Sequence, residues 1–158
     1  MLKPDTKIMV TQADVNNKVC PRSGWLIKNI TIINPSNLVG KPLFHLLLQN
    51  NATVTTCHSK TKNLKQICLN SDIIITGVGN REIFKLTPDM IKQEAVVIDV
   101  ATTRYEGKLV GDTDFLDIIE KALFASPVPG GVGPMTVAML LKNTVTASAL
   151  RKGIDIKY

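Results

Sequence analysis

The sequence predicts an α/β fold, with a Rossmann-like parallel sheet, helices on both faces and a single domain. Three observations support this prediction. Short runs rich in β-branched residues recur about every twenty residues from Asn29 onward, and segments with apolar residues at helical spacing separate them. Strands that alternate with helices form right-handed crossovers, and these produce a parallel sheet. The length of 158 residues, with 44% hydrophobic residues, suffices for one ordinary core but not for two.

The predicted elements follow one another in regular order. Strands are predicted at residues 29–33, 52–56, 72–76 and 95–100, where β-branched residues cluster. Helices are predicted at residues 42–49, 60–70, 87–92, 112–123 and 135–149, where apolar residues recur at helical spacing. Ligands of such a fold bind at the carboxyl ends of the strands, so the loops that follow the strands are the first candidates for a site.

The first 28 residues differ from the rest of the chain. Pro4, Pro21 and Gly24 interrupt them, and they show no long apolar periodicity. We therefore expect a short N-terminal arm, or the remnant of a further domain, at residues 1–28. The Rossmann-like domain is expected at residues 29–150 and a C-terminal tail at residues 151–158.

Charge and composition narrow the class of partner. The net charge is +6, but the basic residues are scattered and aromatic residues make up only 4% of the chain. These features argue against a nucleic-acid interface and favour a basic surface that attracts an anionic cofactor. No apolar stretch approaches the roughly 18 residues that a membrane span requires, so no membrane partner is predicted.

The cysteines predict the compartment. The chain has an odd number of cysteines, and they lack the paired spacing of zinc sites: Cys20, Cys57 and Cys68. Reduced thiols and no metal site are therefore expected, as in a cytosolic protein. We expect a cytoplasmic location, with the mitochondrial matrix as the alternative.

The segment 126–136 is the most distinctive motif of the chain. It reads Ser-Pro-Val-Pro-Gly-Gly-Val-Gly-Pro-Met-Thr, with three prolines and three glycines in eleven residues. Proline fixes φ while glycine reaches φ values that other residues avoid, so the alternation specifies one rigid backbone path. Pro134 suits the first turn of the helix that follows, whose unpaired N–H groups face whatever the loop holds.

This segment resembles the signature of the methylenetetrahydrofolate dehydrogenase/methenyltetrahydrofolate cyclohydrolase family, in which it lines the junction between folate and the nicotinamide cofactor. The alternative is a loop that only ends a strand and begins a helix. The resemblance assigns the junction to six consecutive residues: Pro129, Gly130, Gly131, Val132, Gly133 and Pro134.

A second resemblance lies after the first strand, where the chain lacks the G-x-G-x-x-G pattern. The family usually has Gly-Arg-Ser here, and this chain has Asn34, Pro35 and Ser36. The resemblance implies that these three residues contact the cofactor, and a plain turn into a helix is the alternative. Asparagine can adopt left-handed conformations, whereas Pro35 removes both a backbone donor and the arginine side chain that would hold a phosphate.

The end of the second strand predicts which cofactor is bound. An NAD-specific Rossmann domain carries an acidic residue here for the ribose 2′-hydroxyl, but this chain has Ser59 and Lys60. A hydroxyl and a positive charge suit a 2′-phosphate, so NADP is predicted, with NAD as the alternative. The family resemblance also assigns Ser59 to the cofactor. A purely structural role, in which His58 and Ser59 cap the next helix, is the other interpretation.

Two more loops reach the same edge. Gly77 and Gly79 follow the third strand and permit close approach of a ligand. After the fourth strand, Thr102 occupies the position of a family isoleucine that touches the cofactor. Asp112 lies near the start of a predicted helix, and a role as its N-cap is sufficient to explain it.

The resemblance covers about residues 29–149, which correspond to the cofactor-binding half of a family member. The other half supplies a Tyr-x-x-x-Lys arrangement, and neither Tyr105 nor Tyr158 begins one, so no catalytic residue is assigned within this chain. The resemblance implies hydride transfer from methylenetetrahydrofolate to the nicotinamide ring, a folate partner once the other half is present, and a homodimer. The alternatives are a degenerate nucleotide-binding module without catalysis, and an interaction domain that keeps only the fold.

Overall fold

The computed structural model describes residues 28–155. The predicted N-terminal arm, apart from Lys28, and residues 156–158 of the predicted tail lie outside this range. The helices are α1 (Gly40–Gln49), α2 (Leu64–Leu69), α3 (Phe115–Ile119) and α4 (Val132–Arg151), with a 3₁₀ turn at Pro88–Met90. The strands are β1 (Asn29–Ile33), β2 (Thr53–Cys57), β3 (Ile73–Thr76), β4 (Val96–Asp99), β5 (Thr103–Tyr105), β6 (Lys108–Val110) and β7 (Phe124–Ala125).

Five strands form the central sheet in the order β2-β1-β3-β4-β7, and every neighbouring pair is parallel. The chain moves outward from β1 to β2 and then returns to β3 on the other side of β1. The order therefore reverses between β1 and β3, which is the topological switch point where doubly wound sheets bind their ligands. The Rossmann-like α/β prediction is confirmed.

Two apolar clusters hold the layers together. On one face of the sheet, Leu47 of α1 packs with Ile30 and Ile32 of β1. On the other face, Cys68 of α2 and Ile118 of α3 belong to a cluster with the sheet. Helices thus cover both faces, as predicted, and β3 at the centre is buried at all its positions.

The helices predicted at 60–70 and 87–92 are shorter than their apolar patterns suggest. The helix predicted at 60–70 begins only at Leu64, because a turn at 58–61 and the left-handed Asn63 (φ 57°) precede it. The helix predicted at 87–92 is wrong: a single 3₁₀ turn occupies the site, since Ile91 returns to extended backbone. Backbone hydrogen bonds and dihedral angles determine where these two elements begin and end, and hydrophobic spacing contains no information about them.

The segment between β4 and α4 differs most from the sequence prediction. A hairpin of β5 and β6 was not predicted, nor was the short edge strand β7. The helix predicted at 112–123 is reduced to α3, and Asp114 before it is extended (φ −92°, ψ 107°). The residues ahead of α3 are held by hydrogen bonds to Thr76 of β3 and Asp99 of β4, so they are not available for a helical turn.

Helix α4 begins three residues earlier than predicted and includes Arg151, the first residue of the predicted tail. Pro134 is its third residue, where a missing N–H costs nothing. Most of its apolar side chains are exposed, for example Leu140 at 66% and Leu141 at 63%. Within residues 28–155, no helix combines the length and apolar character needed to cross a bilayer.

Candidate cofactor site

Asn34 connects the two loops of the switch point. It follows β1 in the left-handed conformation (φ 78°), as the sequence predicted an asparagine could. Its side-chain Nδ2 donates a hydrogen bond of 2.6 Å to the carbonyl oxygen of Gly77, which follows β3. A glycine at position 34 would adopt the same turn but would lack this bond. Asparagine at position 34 therefore fixes the distance between the loop after β1 and the loop after β3.

Ser36 closes the beginning of α1. Its Oγ accepts hydrogen bonds from the N–H groups of Val39 (3.2 Å) and Gly40 (3.4 Å), and its carbonyl oxygen accepts from Lys41 N–H (2.9 Å). These are donors that the helix N-terminus of a Rossmann fold offers to a phosphate. Ser36, predicted as a cofactor contact, thus has a structural role of its own here.

The turn after β2 presents Ser59 and Lys60 to solvent. His58 N–H donates to Thr61 Oγ1 (2.9 Å), and Lys60 N–H donates to His58 Nδ1 (3.1 Å). The turn is therefore complete in itself, with Ser59 and Lys60 exposed at its tip. Since α2 begins only at Leu64 and receives no side-chain cap, the interpretation of His58 and Ser59 as caps of the next helix is wrong.

Asp112 has a different role from the helix cap that the sequence suggested. Its carboxylate is fully buried and accepts hydrogen bonds from Thr76 Oγ1 (2.5 Å), Val78 N–H (2.7 Å) and Gly79 N–H (2.9 Å). All three donors belong to the end of β3 and the loop after it. Asp112 therefore holds a ligand-edge loop across more than thirty residues of sequence.

A second buried carboxylate holds the loop after β4. Asp99 Oδ1 accepts from Ala101 N–H (3.0 Å), and Oδ2 accepts from both the N–H and the Oγ1 of Thr113 (2.8 Å each). Burial raises the pKa of Asp99 above its ordinary value, against the opposing effect of these hydrogen bonds. Thr102, the predicted cofactor contact, follows this fixed segment and is exposed.

The predicted junction loop begins at the end of β7. Ser126 Oγ accepts from Asp99 N–H (2.7 Å) and donates to Asp99 O (3.3 Å), which joins the loop to β4. The peptide bond between Val128 and Pro129 is cis. Gly131 is the N-cap of α4, and Val132, Gly133 and Pro134 form its first turn. The loop and the helix start are thus one continuous structure at the carboxyl edge.

The fold brings the predicted site residues to one edge of the sheet, in the spatial order of the strands. Ser59 lies at the end of β2, Asn34 to Ser36 after β1, and Thr102 and the junction loop beyond β4 and β7. With strands about 4.8 Å apart, the edge from β2 to β7 measures about 19 Å. An extended dinucleotide has a similar length. Its two ends would therefore lie against β2 and against the loops of β4 and β7.

Sequence reasoning missed the two carboxylates that organise this edge. Asp99 and Asp112 are both buried, and charged groups are rarely buried unless they are satisfied. The one sequence feature related to them is the glycine at position 111. A Cβ there would lie 2.3 Å from Asp99 Oδ2, so the close packing around this carboxylate requires a glycine. Within residues 28–155, no group of three His, Cys, Asp or Glu side chains forms a metal site. Cys57 and Cys68 are free and buried, and burial raises the pKa of Cys68 to about 12.

Comparison with known proteins agrees with this geometry. Residues 22–152 match the family described as "Tetrahydrofolate dehydrogenase/cyclohydrolase, NAD(P)-binding domain". The "Bifunctional protein FolD" of Nitrosopumilus maritimus is 68% identical over 127 residues, which are 80% of this chain and 44% of that protein. The chain therefore spans less than half the length of this relative.

Two crystal structures have the same fold. The FolD methylenetetrahydrofolate dehydrogenase/cyclohydrolase of Campylobacter jejuni has 46% identity and a TM-score of 0.73, over 78% of this chain and 44% of its own. The Trypanosoma brucei enzyme, complexed with NADP cofactor and inhibitor, has 39% identity and a TM-score of 0.68, over 75% of this chain and 42% of its own. The match of residues 22–152, together with the switch point and the loops that converge on it, establishes that this chain belongs to the tetrahydrofolate dehydrogenase/cyclohydrolase family and comprises its NAD(P)-binding domain.

Proposed function

We propose that this chain binds NADP along the carboxyl edge of its sheet and serves as the cofactor-binding half of a methylenetetrahydrofolate dehydrogenase/methenyltetrahydrofolate cyclohydrolase. The observation that carries the proposal is the turn after β2. It presents a hydroxyl and an ammonium group, Ser59 and Lys60, where an NAD-specific domain has a carboxylate. A dianionic 2′-phosphate fits this pair, and a bare ribose hydroxyl gains less from it.

The backbone after β3 supports the proposal, since it leaves room for a flat ring. A Cβ added to Gly77 would meet only Val100 Cβ, at 3.9 Å, and one added to Gly79 would meet no atom within 4 Å. The loop after β1 supports a weaker grip on the pyrophosphate. Pro35 has no N–H, and Ser36 Oγ already accepts the N–H groups of Val39 and Gly40. We therefore expect the 2′-phosphate to supply a large share of the affinity.

The bound nicotinamide supplies hydride acceptance, and the residues of this chain supply position. Hydride transfer needs donor and acceptor carbons at roughly 3 to 3.5 Å, so the placement of the ring controls the rate. The loop from Pro129 to Pro134 forms one wall of the junction, held to β4 by Ser126. Asn34 holds the opposite pair of loops together. In this proposal the folate site and the acid–base group belong to the other half of the enzyme.

Helix α4 supports the proposal that this domain works in an assembly. Its exposed apolar side chains include Val137 at 60%, Leu140 at 66% and Leu150 at 73%. A helix that exposes this many large apolar side chains marks an interaction site. We propose that the folate-binding half or a second copy covers it, in the reducing environment of the cytoplasm or the mitochondrial matrix, where Cys57 and Cys68 stay as free thiols.

The loop after β1 also favours a second candidate function. Pro35 has no N–H and Ser36 is bonded within the fold. In this second candidate the domain is a nucleotide-binding module without catalysis. This candidate and the enzyme half both predict NADP binding. They differ in methylenetetrahydrofolate oxidation when a family folate-binding half is supplied.

Calorimetric titration with NADP and NAD tests the proposed cofactor. We expect NADP to bind about tenfold more tightly than NAD, since a hydrogen bond to a charged group contributes about 1.5–3 kcal/mol. Ser59→Ala should lower the affinity for NADP and leave that for NAD unchanged. Ser148→Ala, the same substitution at an exposed position of α4, is the control and should alter neither affinity. Equal affinities in the wild type, or no binding at millimolar concentration, would contradict the proposal.

A further inference from the structure

The loop that follows β3 has a further role that rests on the proposed binding of NADP. Thr76 at the end of β3, and Val78 and Gly79 in the loop, all donate hydrogen bonds to the single carboxylate of Asp112. Oδ2 takes two of the donors and Oδ1 takes the third. The carboxylate is fully buried, so water does not compete for these bonds. The Asp112 carboxylate thus holds the loop from the side that faces the protein interior.

This arrangement fixes the direction of the peptide planes after β3. In a trans peptide the N–H and C=O groups point in opposite directions. Because the N–H groups of Val78 and Gly79 face Asp112, the carbonyls of Gly77 and Val78 face away from it. The Gly77 carbonyl accepts the hydrogen bond from Asn34 Nδ2. The Val78 carbonyl likewise points to the side of the loop opposite the Asp112 carboxylate.

A second contact joins the same two segments. The guanidinium of Arg81 donates to the carbonyl oxygen of Gly111 (3.2 Å) and forms an ion pair with Asp114. The side chain of Arg81 is only 9% exposed. The loop after β3 is therefore bonded to residues 111–114 both at its start and beyond its glycines. It cannot move as a flexible lid without breaking charged hydrogen bonds.

The position of this loop along the sheet identifies the part of the cofactor that it meets. The order β2-β1-β3-β4-β7 places Ser59 at one end of the edge. A cofactor with its 2′-phosphate on Ser59 crosses the switch point with its pyrophosphate. Its nicotinamide riboside then crosses the loop of β3 and reaches the loops of β4 and β7. Asp112 lies below this second half and away from the adenosine half.

We propose that Asp112 is a positioning residue for the nicotinamide half of NADP: its buried carboxylate orients the Gly77–Val78–Gly79 backbone so that the Val78 carbonyl meets the nicotinamide riboside. It contacts the cofactor only through this backbone. The ligand that it selects is therefore an intact dinucleotide, in preference to an adenine nucleotide that carries the same 2′-phosphate.

The test compares NADP with adenosine 2′,5′-bisphosphate, which contains only the 2′-phosphate half. Asp112→Asn keeps the size of the side chain but turns one acceptor oxygen into a donor that faces N–H groups. We expect its Kd for NADP to rise about tenfold or more, since it loses at least one hydrogen bond to a charged group. Its Kd for adenosine 2′,5′-bisphosphate should equal that of the wild type.

Ser71→Ala is the matched control for a general loss of stability. Ser71 is buried at the opposite edge of the sheet, where its Oγ bonds to Thr31 Oγ1 (2.6 Å) and to Ile67 O (2.8 Å). This variant should lower the melting temperature and keep the wild-type Kd for both ligands. Thr76→Val removes one donor to Asp112 at nearly constant volume. This variant should also raise the Kd for NADP, by a smaller factor than Asp112→Asn. If Asp112→Asn fails to fold, Thr76→Val is measured in its place.

The outcomes distinguish a failure of the Asp112 positioning role from a failure of the proposed NADP binding. If Asp112→Asn and Thr76→Val weaken both ligands equally, or weaken neither, the positioning role is overturned while NADP binding stands. If the wild-type chain binds adenosine 2′,5′-bisphosphate and NADP with the same Kd, the nicotinamide half makes no contact and the positioning role is again overturned. If the wild-type chain binds neither ligand, the proposed function itself fails and the positioning role fails with it.

Discussion

A Gly40→Ala variant should be destabilised by about 3 kcal/mol, and its melting temperature should fall by about 10 °C. A Cβ at this position would lie 2.4 Å from the carbonyl oxygen of Asn34 and 2.6 Å from the Cα of Pro35. Both atoms belong to backbone, and the Asn34 turn is fixed by hydrogen bonds to Cys57 and Gly77. Relief therefore requires α1 to move away from β1, which also opens the switch point.

Thermal unfolding and NADP titration of the same preparation check this prediction. For the melting temperature, Gly133→Ala is the control, because a Cβ there meets no atom within 4 Å and the residue lies in the first turn of α4. The control should melt at or slightly above the wild-type temperature, as alanine favours helix over glycine. Should Gly40→Ala melt within about 2 °C of the wild type, the close approach of α1 to the β1 loop would be refuted.

Gly111→Ala should have a comparable effect through a different contact. The added Cβ would lie 2.3 Å from Asp99 Oδ2 and 2.8 Å from Val128 Cγ2. Asp99 cannot rotate aside without cost, since its Oδ2 accepts both hydrogen bonds from Thr113. Losing a bond to a buried carboxylate and overpacking the site each cost about 1–3 kcal/mol. Because Val128 precedes the junction loop, NADP affinity should fall as well.

Chemical denaturation gives the free energy of unfolding for this variant. Gly77→Ala serves as the comparison, because it lies at the same edge but its Cβ would be in ordinary contact, 3.9 Å from Val100 Cβ. We expect Gly77→Ala to unfold at nearly the wild-type denaturant concentration and Gly111→Ala at a clearly lower one. Equal midpoints for the two variants would show that Asp99 is not fixed as described.

The sheet could be predicted because its cause is local. The central strands are runs such as Ile73 to Thr76, whose burial on both faces follows from parallel pairing with helices above and below. Periodicity located α1 for the same reason, since Leu43 and Leu47 lie one turn apart and pack on β1 and its neighbours. Regular elements of this kind are specified within a few residues of sequence.

The first and last residues of the helices and strands, and the hydrogen bonds that organise the site, could not be predicted in this way. Asp112 looks like a helix N-cap, but its carboxylate bonds to Val78, which is 34 positions away. Ser36 looks like a phosphate contact, but it accepts the N–H groups that begin α1. The Asp112 bond is long-range, whereas the Ser36 bond joins residues three positions apart. A single sequence contains no direct record of such pairings.

Amide hydrogen exchange of the 158-residue chain, with and without NADP, tests the central claim most directly. The account predicts that NADP slows exchange in the segments that follow β1, β2, β3, β4 and β7, with residues 58–61, 77–80 and 100–102 among them. The amino edge of the sheet, where Lys28, Asp72 and Glu94 line a shallow depression, should exchange as it does without NADP. Protection confined to that amino edge, or no protection at saturating NADP, would contradict the assignment of the carboxyl edge as the cofactor site.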